Sequence, residues 1–468
     1  MKRNVLYIFA GASGCGKTTL IQRIIYFEKL CGSVNKYTTR ETRPTEKIGE
    51  TVVQDDTRQM SLGEMEKRCD VMYEANDYKY GFISEEVNKA LEKQDIAIIL
   101  SDIRAITILK EKINDAGFGV RVIYISSKMD STKEFIKTWQ KRFEDSLKDD
   151  ILNKNKSENE QKKFIQDTNI SLREEVNSFN EWMQNAPSMR VPIREVVDHC
   201  ESVQNILPQS ATNRLRAEKQ RLMYTRYVHN IHLFDHVILN FSTIDDMVRQ
   251  AKNIILSKEV KSRKSGPVVF IICAAPKSGK GTLMENLNIM GTSQIQITTK
   301  YAGRTADPEH DKRDGMIAKG KTWFENRFND SNTEPRWEWT FHAQGTKYAV
   351  LLEDIKTGLC KGISQIFASN FKQLERLQRD KKLQKTLSDV KGRFVFIYLH
   401  RVRTEEEIKE QIPDEAKRKD IQKVYRSYIK NIDKVDHVII NPSYLTFRED
   451  LHDQMMTLIE IYSGKRIR

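Results

Sequence analysis

Residues 5–20 read VLYIFAGASGCGKTTL. An apolar, β-type run gives way to GASGCGKT (11–18) and then to a helix-forming stretch. The pattern is GxxxxGK[ST], in the setting that gives it meaning: a strand before it and a helix after it. Gly11, Gly14 and Gly16 let the backbone turn tightly, so that its N–H groups converge on phosphate oxygens. Ala12, Ser13, Cys15 and Thr19 complete the loop. Lys17 is expected to neutralise the β and γ phosphates of ATP, and Thr18 to offer its hydroxyl to Mg2+. The dipole of the following helix favours the same anion. The apolar run therefore reads as a first strand rather than a removable signal peptide.

The same grammar returns later in the chain. VVFIICAAPKSGKGTL (268–283) repeats the strand, turn and Gly-Lys, so Lys280 follows Lys17 by 263 residues. YTTRETR (37–43) is answered by ITTKYAGR (297–304), and YEANDYKYGF (73–82) by FHAQGTKYAV (341–350). IAIILSD (96–102) is answered by SQIFASN (364–370), VRVIYIS (120–126) by RFVFIYL (393–399), and FDHVILN (234–240) by VDHVIIN (435–441). Six pairs in one order make a tandem duplication. The spacing falls to 201 residues at the DHV tripeptide, so the first copy carries extra residues near 143–212. That stretch is rich in Lys, Glu and Asn and is expected to be a mostly helical insertion.

Apolar, β-branched strands alternate with longer helical patterns, which predicts α/β units with parallel sheets and right-handed crossovers. The expected organisation is one domain over 1–257, a polar linker over 258–266 that leads into Gly-Pro, and a second domain over 267–468. Ligands are expected at the carboxyl ends of the strands.

Composition narrows the function. The net charge is +13, from 78 basic and 65 acidic residues, which suits a site for multiply charged phosphates. No helix-turn-helix, zinc finger or basic-aromatic strand signature accompanies it, which argues against nucleic acid as the partner. No apolar run approaches the roughly 20 residues of a membrane span. The six cysteines are scattered, with no CxxC, as expected of a cytoplasmic protein without a zinc site or disulfide scaffold.

About 20 residues beyond the loop lie Thr38-Thr39-Arg40, with Arg43 three further on. Two arginines so spaced can converge on one phosphate with a fork geometry that lysine lacks. Tyr80 supplies a phenol donor. Asp102 ends a strand, where a carboxylate can reach a metal or an acceptor, or simply cap the next helix.

Together, GASGCGKT, TTRETR, the Tyr80-Gly81 pair, ILSD and DHVILN resemble the guanylate kinase family of nucleoside monophosphate kinases. The resemblance implies a parallel sheet core, a monophosphate-binding lobe, a mobile lid, and transfer of the γ-phosphoryl of ATP to GMP or dGMP with Mg2+. It assigns Arg40, Arg43 and Tyr80 to the acceptor phosphate, and Lys17 and Thr18 to ATP and magnesium. Asp102 would face acceptor and metal, and Glu74 would read guanine. Arg142 and Arg214 stand where the family carries lid arginines, with the insertion between them, so the insertion could gate closure or carry a protein partner's surface.

Two departures leave the acceptor open. Lys36 stands where the family has a small hydroxyl residue for the base, and Val52 where it has a second tyrosine. EANDYKYG and HAQGTKYA also look like the related ribose 1,5-bisphosphate phosphokinases. A non-catalytic scaffold and a nucleotide-sensing ATPase are the readings from other classes.

The second copy reads as degenerate. Ala274 and Lys277 replace two glycines of the turn, although Gly281-Thr282 after Lys280 is similar to adenylate kinases. Lys300 aligns with Arg40, Arg304 falls one residue out of the Arg43 register, Ala349 replaces Gly81 and Asn370 replaces Asp102. A structural or ligand-sensing role is expected for it.

Overall fold

The computed structural model describes residues 4–40 without 13, 57–127 without 76 and 77, and 227–257 without 242. It also describes 266–463 without 291–294, 307, 309, 310, 312–315, 320, 321, 323–338, 344, 345, 404 and 442–447. The expected insertion at 143–212 and most of the linker lie outside the described residues, as do Ser13, Arg43, Val52, Arg142 and Arg214. The chain divides into two compact units. The first contains residues 1–227 and 237–255, and the second contains 256–441 and 448–468.

In the first unit, β1 (Val5–Gly11) is buried along its whole length. A run with no polar alternation is what a strand covered on both faces requires. It pairs in parallel with β6 (Ile96–Ile99) on one side and β7 (Gly119–Ser127) on the other. The sheet order is β6-β1-β7-β8, with β8 spanning His236–Asn240. A single parallel bridge, Gly32 to Ile96, extends the order by one position beyond β6. Helix α4 (Ile103–Asp115) buries Ala105, Ile106, Leu109 and Ile113, one face of a 3.6-residue period. The helix Ile244–Ser257 packs its Met247, Val248, Ala251, Ile254 and Ile255 inward. Its last carbonyls are held from the sheet: buried Arg121 donates to Ile254 O at 3.0 Å, and the Tyr7 hydroxyl donates to Ile255 O at 3.2 Å. Those bonds satisfy acceptors that a helix end leaves open.

A second, smaller sheet carries Lys36, Glu74 and Tyr80. Its order is β3-β2-β5-β4, from β2 (Lys36–Thr38), β3 (Thr57–Gln59), β4 (Val71–Ala75) and β5 (Tyr78–Phe82). Here β2 and β3 run parallel, and the other pairs are antiparallel.

The second unit has the same plan. Its main sheet has the order β10-β15-β9-β16-β17: Ile295–Ile297, Ser364–Ser369, Val268–Ala274, Arg393–Arg401 and His437–Asn441, with each pair parallel. Its small sheet has the order β12-β11-β14-β13: Met316–Ala318, Lys300–Ala302, Thr346–Val350 and Trp339–Ala343. In both units one parallel and two antiparallel pairings build the small sheet.

One buried polar device recurs. The Gln250 side chain accepts from Leu239 N–H at 2.9 Å and donates to Leu239 O at 3.0 Å. Gln454 does the same to Ile440, both bonds at 2.9 Å. Each glutamine is fully buried. Both β8 and β17 end their sheets, and the primary amide takes the place of the peptide group that a further strand would offer.

Among the described residues, no helix is long and apolar enough to cross a membrane.

Candidate functional site

The phosphate loop of the first unit leaves β1 and enters α1 (Lys17–Gln22). Gly16 caps that helix in the left-handed region, at φ 92°, and Gly14 has φ 78°. A side chain at Gly11 would place its Cβ 2.7 Å from Cys15 Sγ and 2.8 Å from Ile125 O. The loop therefore needs glycine for two separate reasons, backbone sign and close approach. Cys15 N–H donates to Ala12 O at 3.3 Å and closes the turn. Asn240 Nδ2 donates to Cys15 O at 2.9 Å and fixes the outer side of the turn from the end of β8.

Lys17 Nζ donates to Gly11 O at 2.8 Å and Ala12 O at 2.7 Å. The ammonium is thus folded into the loop by two carbonyl contacts. Thr18 is exposed in the first turn of α1, and it lines a small, mostly apolar cleft with Ile21, Gln22, Tyr26, Lys36 and Phe82. Glycine-shaped backbone, a lysine and an adjacent hydroxyl are the donor set that a magnesium–triphosphate group uses, so ATP and Mg2+ fit this loop chemically.

The backbone at Arg40 is held by two threonines. Thr38 Oγ1 donates to Lys79 O at 3.0 Å and accepts the Arg40 N–H at 3.1 Å. Thr39 Oγ1 accepts the Lys79 N–H at 3.0 Å, and Thr39 N–H donates to Lys79 O at 3.0 Å. The residue after β2 is thereby clipped to β5. Tyr80 stacks on Tyr73 with centroids 5.4 Å apart, and Lys36 Nζ lies 6.0 Å from the Tyr80 ring centroid.

Asp102 is the N-cap of α4 and accepts the Ala105 N–H at 2.8 Å through Oδ1. Glu74 forms an ion pair with Lys79 at 2.5 Å, and its side chain is 57% exposed. The exposure and the paired lysine give this carboxylate an outward-facing partner.

The guanylate kinase family model matches residues 3–185. The crystal structure of guanylate kinase from Anaplasma phagocytophilum is similar at 16% identity, over 44% of this chain and 90% of that chain, with a TM-score of 0.29. No curated protein matches the chain in sequence.

Two supports of the first unit carry no role in the sequence reading. Asn240 and Gln250 both lie beyond the matched range, yet one braces the loop and the other holds β8. The signal was an asparagine ending both DHV repeats, and Asn441 Nδ2 donates to Ser278 O at 2.8 Å in the second unit as Asn240 does to Cys15 in the first.

The second unit corrects the alignment of its acceptor side. By sequence alone, TTK aligns with TTR and Lys300 with Arg40. Strand pairing decides otherwise. Tyr37 and Thr38 face Gly81 and Tyr80, whereas Tyr301 and Ala302 face Ala349 and Tyr348. Gly303 N–H donates to Lys347 O at 2.8 Å, the counterpart of Thr39 and Lys79. Lys300 therefore corresponds to Lys36, and Arg304 to Arg40. The four-residue error arose because a short polar motif outweighed the strand register. The lysine–tyrosine contact also recurs, with Lys300 Nζ 5.3 Å from the Tyr348 ring.

The corresponding loop of the second unit keeps left-handed backbone with different residues. Lys277 replaces Gly14 and still has φ 54°, while Gly279 has φ 100°. A left-handed lysine costs about 1 kcal/mol. Its carbonyl accepts from Arg401 at 2.9 Å, and its ammonium donates to Gln411 O at 2.7 Å, which hold it there. Asn370 caps the helix Phe371–Arg379 by position alone, with no side-chain bond to that helix.

Proposed function

We propose that the first unit is an ATP-dependent phosphotransferase that moves the γ-phosphoryl group to a phosphate-bearing acceptor, with GMP or dGMP as the leading acceptor. The observation that carries this reading is the intact phosphate loop: left-handed Gly14 and Gly16, Lys17 folded against Gly11 and Ala12, and Asn240 bracing Cys15. Phosphoryl transfer needs alignment and charge neutralisation more than covalent chemistry. Lys17 would exchange its two carbonyl contacts for phosphate oxygens. The loop amides would hold the β phosphate, with Gly11, Ala12, Ser13, Gly14, Cys15, Gly16, Thr18 and Thr19 forming the cradle. Magnesium, when bound, supplies charge neutralisation on the transferring phosphates, and Thr18 and Asp102 are the residues to hold it. Arg40 and Arg43 would hold the acceptor phosphate, with Tyr80 as a further donor, and Arg142 and Arg214 would close over the transferring group. No base is needed, because the acceptor phosphate is already ionised at neutral pH.

A sugar-phosphate acceptor is the second reading, favoured by one specific pair of observations. Lys36 lines the cleft beside Thr18, and Glu74, the residue expected to read guanine, is paired with Lys79. A cation at the base end suits an acceptor with a second anionic group. The second unit is assigned a structural or regulatory role. ADP release measured with GMP, dGMP, AMP, CMP, UMP and ribose 1,5-bisphosphate tests both readings. Acceptor-independent release marks an ATPase, and no release marks a scaffold.

A further inference from the structure

The helix Glu415–Lys430 of the second unit carries a line of cations opposite its packed side. Tyr428 and Ile429 are buried, whereas Lys419, Lys423, Arg426 and Lys430 are exposed. Their spacing, i, i+4, i+7 and i+11, stacks them in one stripe along the helix. At 1.5 Å per residue the stripe is about 16 Å long. Lys419 pairs with Glu415 at 2.7 Å, but among the described residues no carboxylate pairs with Lys423, Arg426 or Lys430. Like charges three and four residues apart repel and weaken a helix, so the stripe does not serve folding. The neighbouring helices share its sign. Phe371–Arg379 packs against Glu415–Lys430, with Phe371 on Tyr428, and exposes Arg376 and Arg379. Lys381–Asp389 follows and exposes Lys381 and Lys385 against one aspartate, Asp389. The fold does not demand this charge. In the first unit α4 follows the equivalent strand, and it exposes Arg104 together with Glu111 and Asp115.

We propose that this basic face of the second unit binds duplex nucleic acid through the phosphate backbone, without reading bases. Other polyanionic partners ask for more than charge. A membrane surface takes up apolar side chains beside the cations, and a protein partner is anchored by aromatic or apolar ones. Among the described residues, the large exposed apolar side chain of the second unit is Ile317, on the small sheet and not on these three helices. A single strand is held largely by bases stacked on aromatic rings, which this face also lacks. A duplex needs only cations aligned along it, because counterion release from its phosphates supplies the affinity. The stripe matches the axial length of about five nucleotides of one strand. The absence of helix-turn-helix and zinc-finger motifs excludes base readout, not backbone contact.

The test is fluorescence anisotropy of the full chain with a labelled duplex of about 20 base pairs, read from about 50 to 200 mM salt. The expected Kd lies at about 1–100 µM, and log K should fall against log salt with a slope of about −3 to −4, from four phosphate contacts. A second duplex of unrelated sequence should bind equally. Lys423→Glu combined with Arg426→Glu should weaken binding about tenfold or more and flatten the slope by about two. Lys67→Glu combined with Lys93→Glu, at exposed lysines of the first unit, changes the net charge equally and should leave Kd within about twofold, because charges beyond a Debye length are screened. Thermal melts check folding. If the double glutamate variant does not fold, Lys423→Gln with Arg426→Gln should flatten the slope in the same way. Absence of duplex binding, a slope unchanged in the stripe variants, or equal losses in both pairs of variants overturns the proposal. So does tighter binding of a single strand than of the duplex, or binding to phosphatidylserine vesicles in place of the duplex. No nucleotide or turnover enters the measurement, so its outcome is independent of whether the first unit is a kinase.

Discussion

Asn240 Nδ2 donates to the carbonyl of Cys15 at 2.9 Å, so the last residue of one strand sets the outer wall of a loop 225 positions earlier. A Cβ at Gly16 would come within 3.0 Å of that same Nδ2. Loop and brace therefore fit each other only with glycine at the cap. Asn240→Ala should raise KM for ATP several-fold and cost about 1 kcal/mol of stability, the usual net worth of one hydrogen bond. Asn240→Asp should be worse, because it sets a carboxylate against a carbonyl oxygen. Chemical denaturation together with ATP-dependent kinetics reads both effects.

Gln250 and Gln454 give a stability prediction without any catalytic content. Gln250→Leu removes two buried hydrogen bonds and leaves the N–H and C=O of Leu239 without them, so it should lower stability by about 2 kcal/mol or more. Gln454→Leu should lower it similarly through Ile440. If the two units unfold separately, each variant should move only one of two calorimetric transitions. A shift below about 0.5 kcal/mol in either would show that the amide bracket is dispensable.

Lys36 is the residue proposed to decide acceptor choice. Lys36→Ser should improve kcat/KM for GMP relative to ribose 1,5-bisphosphate by about tenfold, as expected for exchanging one charged contact. Measured acceptor ratios that do not move would remove Lys36 from the specificity argument.

His400 carries a pH dependence. Burial, followed by the nearby Arg403 charge, pulls its imidazole down to about 3 from the ordinary 6.5, and Tyr398 lies 3.4 Å from its Nδ1. The unfolded chain then binds a proton that the folded chain refuses. Stability is present above pH 6.5 and falls as pH drops from there towards 3. His400→Asn should flatten that part of the stability–pH curve. A wild-type minus variant difference with no slope between pH 6.5 and 4 would contradict it.

Much of the fold was legible. VLYIFAG and VVFIICA carry no polar alternation, which is the signature of strands covered on both sides, and both became central strands of parallel sheets. The phosphate loop was legible because its glycines answer to steric demands, close approach at Gly11 and left-handed backbone at Gly14 and Gly16. The acceptor side was less so. Lys300 and Arg304 were misaligned because the small sheet is set by pairing between strands of three to five residues, and TTK offered a stronger local likeness than the register did. Asp102 was seen to face two fates, and its cap on Ala105 is a local bond that the residue type allows but does not require. Asn240 stayed without a role because its partner is 225 residues away.

The most direct test of the account compares acceptor-dependent ADP release by the full chain with that of Lys17→Ala and of Lys280→Ala, each checked for folding by thermal melts. Lys17 and Lys280 open equivalent helices, but only the first is proposed to act on a transferring phosphate. Lys17→Ala should lose about a hundredfold or more of the rate, as loss of a preorganised transition-state contact does, while Lys280→Ala should keep most of it. Equal losses of about half in each variant, or undiminished transfer by Lys17→Ala, would contradict the assignment of phosphotransfer to the first unit.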